Sequence, residues 1–471
     1  LVKQKKVRKE SAFLTSYLLY GESNVNFSKV INNKSFPRDL INIVRTIKKS
    51  GFKCYIVGGG IRDLMLKLKP KVWDLTTDAA PNQVSRLFKK VIPTGIKYGT
   101  VTVIVNKMPY EITTFRSDER YVDGRHPSSV TFSKDINKDL SRRDFTINAI
   151  AYDPITKELV DIFGGKKDLK AKLIRAVGNP VERFMEDGLR PIRACRFAAK
   201  LNFKIEKKTL DAIPKCLKVA KKVSPERVHD ELMRMLASDR PSIGIDLMRK
   251  SGLLSIYIPE LLKGVGVKQP KPFHKDDVYW HDLYTCDAVT KEKPILRLAA
   301  LFHDIAKPQC KVGYTFYDHE TKGADMAQKI MRRLKFSNAH IEYIANVIRH
   351  HMFNYSREWS DSAIRRFIKR VGLNYTDDIF DLRIADIKAM GRRVEPGHPR
   401  GLRNRIKKVI REQDALHIRD LAVNGNDVMK TLNIKPGPEV GEVLNKLLDK
   451  VLDKPELNTK LKLIDLIQKL K

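Results

Sequence analysis

After Pro37 the apolar positions recur at helical spacing, with Leu40, Ile41, Val44 and Ile47 on one face and Gly51 as the stop. The pattern then shortens. Residues 55–57 read as an apolar strand, 58–60 as a glycine turn into a helix, and a second strand is expected to end at Asp74. A helix over 81–90 follows, then a hairpin-like pair of strands at 100–105 and 110–115. Strands and helices interleaved in this way make a small α/β head ending near Gly165. Beyond Asp168 the signal is helical almost without interruption, with proline and glycine punctuation near 238–242, 267–273, 394–401 and 434–438. The expected fold class is α+β: an α/β head followed by an elongated all-α body. The expected segments are a basic extension (1–36), the head (37–165), a helical neck (166–240), a further helical domain (241–395) and a helical tail (396–471).

Composition adds a partner. The chain has 471 residues, 42% of them hydrophobic, which is enough for sizeable cores and argues against wholesale disorder. Its formal charge is +36, and basic stretches recur at 3–9, 200–222 and 392–411. Dispersed cations of this kind suit a polyanion whose phosphates they can track, although charge kept for solubility is the plainer alternative. No apolar run approaches the ~20 residues of a spanning helix, and no signal peptide is read at the start, so no membrane attachment is expected. The five cysteines are scattered without C-x-x-C spacing, as reduced structural thiols in a cytoplasmic protein would be. The chain opens at Leu1 rather than Met, so a few further residues are expected to precede it.

The glycine turn carries chemistry. It lets backbone N–H groups approach a triphosphate, and a carboxylate on the neighbouring strand, Asp74, can hold Mg²⁺ against the phosphates. Three further blocks stand out: YEITTFR at 110–116, SRRDFTINA at 141–149 and EDGLRPIRACRF at 186–197. Together they resemble the class II tRNA nucleotidyltransferase/poly(A) polymerase family, within the polymerase-β-like nucleotidyltransferases. The resemblance implies that Asp74 is the second aspartate of a D-x-D pair and that Glu111 completes the Mg²⁺ site. Val72 stands where the first aspartate is expected, and a valine cannot ligate a metal. Gly59 and Arg62 match positions that contact the triphosphate. The alternatives are an ordinary tight turn for Gly59 and a structural ion pair with Asp63 for Arg62. Arg143 matches a nucleotide contact, with Asp144 and Asn148 fixing its loop. The charged stretch between Arg116 and Arg142 fits a mobile lid.

The block at 186–197 bears on the base. Cytosine and adenine share an edge with an amino donor beside a ring-nitrogen acceptor, which a carboxylate and an arginine complement. Uracil and guanine present the reverse. The resemblance assigns this reading to Asp187 and Arg190, three apart and expected on one helix face, with Arg193 and Arg196 continuing the row toward base or triphosphate. Pro191 predicts a kink in that helix. An amphipathic helix carrying a solvated Asp–Arg pair is the alternative.

The helical half contains a second pattern, resembling an HD domain: His281, then His303–Asp304, then Asp386, with His319, His350 and His351 as accessory candidates. Two histidines and two aspartates can hold a divalent transition metal and activate water for phosphoester hydrolysis. Segments 161–169 and 224–232 resemble structural elements of the same family, and segments near 424–441 extend the likeness toward the C-terminus. The implied activity is CCA addition to tRNA from CTP and ATP, with the tRNA acceptor end as partner. The rivals are a poly(A) polymerase of the same class, an inert RNA-binding homologue, for which Val72 argues, and a protein whose only live chemistry lies in the HD domain.

Overall fold

A computed structural model describes residues 35–118, 130–270, 274–353, 359–391, 398–411 and 416–470. Residues 1–34 of the expected N-terminal arm and residues 119–129 of the expected lid lie outside the described residues; the described remainder of the lid stretch contains short strands and a short helix. The chain divides into two compact units, residues 1–187 with 204–209, and residues 188–203 with 210–471.

The first unit is built on a mixed seven-stranded sheet of order β3-β4-β5-β2-β1-β8-β9. Helix α1 (Arg38–Lys49) leads into β1 (Cys54–Val57), α2 (Gly59–Met65), β2 (Asp74–Thr77) and α3 (Pro81–Leu87). Strands β3 (Val91–Gly95), β4 (Thr100–Val105) and β5 (Met108–Thr114) follow, then a short ribbon of β6 (Arg116–Asp118) and β7 (Val130–Phe132). Helix α4 (Ile136–Ser141), β8 (Ala151–Tyr152), β9 (Leu159–Val160), α5 (Gly165–Lys170) and α6 (Pro180–Glu186) complete the labelled elements. The α/β head and the hairpin of β4 with β5 are as expected.

Three details differ from the sequence reading. Helix α1 buries Leu40, Ile43, Val44 and Ile47, while Ile41 is only half-buried, because the 3.6-residue repeat turns it off the stripe. Helix α3 stops at Leu87, because Phe88 takes extended backbone on the way into β3. Strand β2 begins at Asp74 instead of ending there: its buried residues are Leu75, Thr76 and Thr77, with β-branched threonines suited to a central strand. Behind the sheet, Tyr55, Val57, Phe115, Leu140 and Ala151 form one core with Ile136, Ala149 and Val177.

The second unit is helical. The helices that matter for its chemistry are α7 (Arg190–Leu201), α8 (Pro225–Leu236), α9 (Pro241–Lys250), α10 (Val278–Ala288), α11 (Pro294–Phe302), α12 (His319–Arg333), α13 (Asn338–Arg349) and α14 (Thr376–Ala389). Prolines occupy the first turns of α7, α8, α9 and α11, where the missing N–H has no intrahelical partner to lose. Pro191 therefore starts a helix and does not kink one. Asp187 closes α6 with extended backbone, so it shares no helix with Arg190, which opens α7; a turn at residues 188–189 separates them. The buried Arg297 of α11 donates to Leu236 O at 2.7 Å and Val289 O at 2.8 Å, satisfying carbonyls that helix ends leave open. All five cysteines are free and buried. Among the described residues, no helix is long and apolar enough to cross a membrane.

Candidate functional site

Asp74 is placed by strand pairing. β2 runs parallel to β5, and Asp74 lies directly opposite Glu111 in that register. On its other side β2 pairs with β1, which sets Asp74 against Val57, the residue before the glycine turn. Gly58 takes φ +71°, a conformation side chains resist. A Cβ there would lie 3.0 Å from Arg143 Nη1 and 3.5 Å from Asp74 Oδ2, so the turn, the carboxylate and the arginine crowd one point. Gly60 is needed for another reason, since its Cβ would meet Trp73 Cε3 at 2.8 Å.

The electrostatics follow from this crowding. Burial raises the Asp74 carboxyl above the usual range, with Arg143 and Arg62 opposing it. Glu111 is raised by burial and then by the charge of Asp74. Two adjacent acids both shifted toward the protonated form fit a divalent cation, which would hold both as carboxylates. Val72 contributes nothing to such a site. It precedes β2, outside the sheet, and is 62% exposed.

Arg62 is 3% exposed and its guanidinium is held by Asp63 Oδ1 at 2.5 Å and Asn148 Oδ1 at 2.7 Å. The structural pairing weighed for Arg62 is therefore present. Asn148 in turn donates to Asp144 at 3.0 Å, so the 141–149 block locks onto α2. Gly59 sits at the first position of α2, close to Arg62. Arg143 is oriented by Asp139, 3.2 Å from its Nη2, and Asp139 also takes two bonds from Arg142. Sequence reasoning missed Asp139; its signal was the spacing of three and four residues before the arginine pair.

In the second unit, Arg193 and Arg196 both reach Glu231 of α8, and the Arg196 guanidinium lies 4.0 Å from the Phe197 ring centroid. Glu231 is 2% exposed, and it gives the 224–232 segment a task that spacing did not reveal: it fixes the arginine row.

The same unit gathers the second histidine–aspartate set. His281 comes from α10, His303 and Asp304 follow α11, His319 opens α12, His351 follows α13 and Asp386 lies on α14, all buried. Asp304 Oδ2 is 3.6 Å from His281 Nε2 and 3.4 Å from His303 Nε2. Its Oδ1 is 3.4 Å from His319 Nε2 and 3.7 Å from His351 Nε2. Asp386 Oδ1 lies 3.0 Å from His281 Nε2, without hydrogen-bond alignment. His350 stands apart, its Nδ1 3.0 Å from Asn346 O. Lys307 and Arg383, absent from the sequence reading, hold the remaining carboxylate charge, at 2.5 Å from Asp304 Oδ2 and 2.7 Å from Asp386 Oδ2.

The tautomers are fixed. Nδ1 of His303, His319 and His351 lies 2.8, 2.7 and 2.7 Å from the carbonyls of Ala300, Phe316 and Ile348. A carbonyl only accepts, so each Nδ1 carries a proton and donates, and each ring turns its Nε2 inward. Burial pushes His303 down to about 3, against the opposing charge of Asp304. Nε2 of His281, His303 and His319 and Oδ1 of Asp386 are buried without any hydrogen-bond partner, which is the donor set a divalent transition metal takes up.

Known proteins resemble this chain over most of its length. Family models match three stretches: "Poly A polymerase head domain" at residues 54–175, "Probable RNA and SrmB- binding site of polymerase A" at 202–264, and "tRNA nucleotidyltransferase domain 2 putative" at 315–467. The CCA-adding enzyme of Streptococcus gordonii is 30% identical over 88% of this chain and 93% of its own length. That of Ligilactobacillus salivarius is 32% identical over 91% of this chain and 95% of its own. The crystal structure of the Bacillus stearothermophilus CCA-adding enzyme in complex with CTP superposes with a TM-score of 0.72 at 25% identity, covering 92% of this chain and 97% of that one. A mixed-sheet head carrying Asp74 and Glu111, a helical body and full-length relatives of one kind agree: this chain belongs to the tRNA nucleotidyltransferase/poly(A) polymerase family.

Proposed function

We propose that this chain adds cytidylate and adenylate to the 3′ end of tRNA from CTP and ATP, without a nucleic-acid template. The observation that carries the reading is the pairing of Asp74 with Glu111 beside the Gly58 turn and Arg143. Mg²⁺ is the cation we assign to the two carboxylates; when bound it supplies charge neutralisation to the triphosphate and the attacking hydroxyl. Arg143 is positioned by Asp139 to take the triphosphate's negative charge. The bare glycine turn leaves room for phosphate oxygens where a side chain would block them. Because α2 has only seven residues and Arg62 is buried against Asp63 and Asn148, Arg143, which lies beside the Gly58 turn, carries more of that charge than the helix end or Arg62.

Base choice is assigned to Asp187 as acceptor for the amino group and Arg190 as donor to the ring nitrogen, on their chemistry and their place in the motif. Arg193 and Arg196, fixed by Glu231, serve the nucleotide on the same assignment. The basic excess serves the tRNA acceptor end, and the free buried thiols fit a reducing, cytoplasmic compartment.

The test is incubation of tRNA lacking its terminal trinucleotide with CTP alone, ATP alone and both, read by electrophoresis. The reading expects two cytidylates from CTP alone and one further adenylate with both. Long adenylate tracts would establish the poly(A) polymerase instead.

A second reading concerns the helical unit, where the orphaned Nε2 atoms favour it. His281, His303, Asp304 and Asp386 hold a divalent transition metal there, for phosphoester hydrolysis separate from nucleotidyl transfer.

A further inference from the structure

One transverse row of residues crosses the head sheet through the acid pair. Strand register sets Val57 beside Asp74, Asp74 beside Glu111, Glu111 beside Thr102 and Thr102 beside Ile92, on β1, β2, β5, β4 and β3 in turn. Residues opposed in register point to one face. The alternate positions Leu75, Ile112, Val101 and Val103 point to the other face and are buried. Between Ile92 and Gly95 the register slips, and this bulge in the edge strand turns Thr94 onto the row, its Oγ1 2.9 Å from that of Thr102. Thr102 is 7% exposed and its hydroxyl has no other partner among the described residues, so its hydrogen goes to Thr94. Thr94 is exposed and keeps its own hydrogen for a ligand.

In-line displacement places the attacking hydroxyl and the departing pyrophosphate on opposite sides of the α-phosphorus. The proposed function seats the triphosphate at the Gly58 turn and Arg143, on the β1 side of Asp74. The 3′-hydroxyl of the acceptor strand therefore comes over β5 and β4, and its sugar lies over Thr102 and Thr94. We propose that this threonine pair is the subsite for the ribose of the terminal tRNA nucleotide, with Thr94 bonding the 2′-hydroxyl. The proposal rests on the nucleotidyl-transfer reading and adds the seat of the second substrate, together with the residue that tells an RNA end from a DNA end.

Scale and chemistry suit a sugar. Adjacent strands lie about 4.8 Å apart, so Thr102 stands one strand beyond Glu111 and the pair lies within the span of a single nucleotide from the acids. A 2′-hydroxyl both donates and accepts, and a threonine hydroxyl complements it in either sense. The row carries no cation, so it matches a neutral ribose better than a phosphate. Ile92, 45% exposed at the end of the row, offers the C–H surface of the sugar an apolar contact. Thr102 acts through Thr94, as a positioning residue.

The experiment uses the full-length protein and tRNA lacking its terminal trinucleotide, ending either in a ribonucleotide or in its 2′-deoxy form. Kd in the absence of nucleotide, and single-turnover CMP incorporation with Mg²⁺, are measured for wild type, Thr94→Val, Thr94→Ser and Thr102→Val, each checked by thermal melting. Wild type is expected to favour the ribonucleotide end about five- to tenfold, in Kd or in rate, the worth of one hydrogen bond. That ratio should fall to about one in Thr94→Val, return in Thr94→Ser and weaken in Thr102→Val, with KM for CTP unmoved. Equal treatment of the two ends by wild type, or a preference that survives in Thr94→Val, would overturn the subsite. If neither wild type nor any variant incorporates CMP, the nucleotidyl-transfer reading falls, and the Kd comparison alone decides the subsite. If Thr94→Val melts early, Thr94→Ala takes its place, since it removes the same hydroxyl.

Discussion

Asp74 and Glu111 stand opposite each other in register across the parallel strands β2 and β5. Two carboxylates so placed serve one cation, and each should be indispensable. Asp74→Asn and Glu111→Gln keep size and hydrogen bonding but halve the site's charge. Each is expected to lower the single-turnover rate of CMP incorporation by at least about a hundredfold, since metal stabilisation of the transition state is worth several kcal/mol. Melting temperatures should stay close to wild type, because Glu111 is exposed and Asp74 opens its strand. Unchanged rates in both variants would remove these residues from the chemistry.

Glu231 is expected to matter for nucleotide binding although it touches no nucleotide. It is the buried anion shared by Arg193 and Arg196. Glu231→Ala removes a buried carboxylate that both guanidiniums contact, which should destabilise the protein by about 1–3 kcal/mol. Glu231→Gln keeps an acceptor and should destabilise less while raising KM for CTP and ATP. Denaturant titration and nucleotide-dependent kinetics read the two effects separately.

Gly165 marks a close approach of backbone to backbone. A Cβ at this position would lie 2.3 Å from Thr146 O and 2.7 Å from Ile150 Cγ1. Gly165→Ala is therefore expected to destabilise the head by about 1–3 kcal/mol through overpacking, seen as a lower urea midpoint. Gly164→Ala beside it is a control of another kind: open space surrounds it, but its φ of +72° adds backbone strain.

Asp139 gives a pH dependence. Burial alone would raise its carboxyl, but Arg142 and Arg143 outweigh burial and hold it below the ordinary value. The unfolded chain then binds the proton more readily than the native one. Its stabilisation is present above the unfolded value of about 4 and is lost as pH falls through the lower native value. Asp139→Asn should be about 3 kcal/mol less stable than wild type at pH 7, as expected for breaking a buried pair. The gap should close below about pH 4 in urea titrations. A gap that stays constant down to pH 2.5 would exclude this linkage.

Much of the head was legible because its signals are local. The glycine turn, the 110–116 strand and the 141–149 block each carry their own pattern, and strand pairing brought Asp74 to Glu111 as expected. The break between Asp187 and Arg190 was not read correctly, because a proline two residues before Arg193 signals either a kink or a start, and only the backbone decides. Glu231 and Asp139 escaped notice because acids on helices are ordinarily solvated, and burial is a tertiary property. In the second unit the H…HD…D order was visible, but the full membership of His319 and His351 depends on five helices whose packing no spacing encodes.

The most direct test of the central claim is single-turnover incorporation of labelled CMP into tRNA lacking its 3′ trinucleotide, with Mg²⁺, for wild type, Asp74→Ala and Val72→Asp. Val72 is exposed and outside the sheet, so an aspartate there should fold as well as the valine. The account predicts measurable incorporation by wild type, loss in Asp74→Ala, and a gain of about tenfold or more in Val72→Asp from the added metal ligand. Incorporation that persists undiminished in Asp74→Ala, or that is absent from both wild type and Val72→Asp, would contradict it.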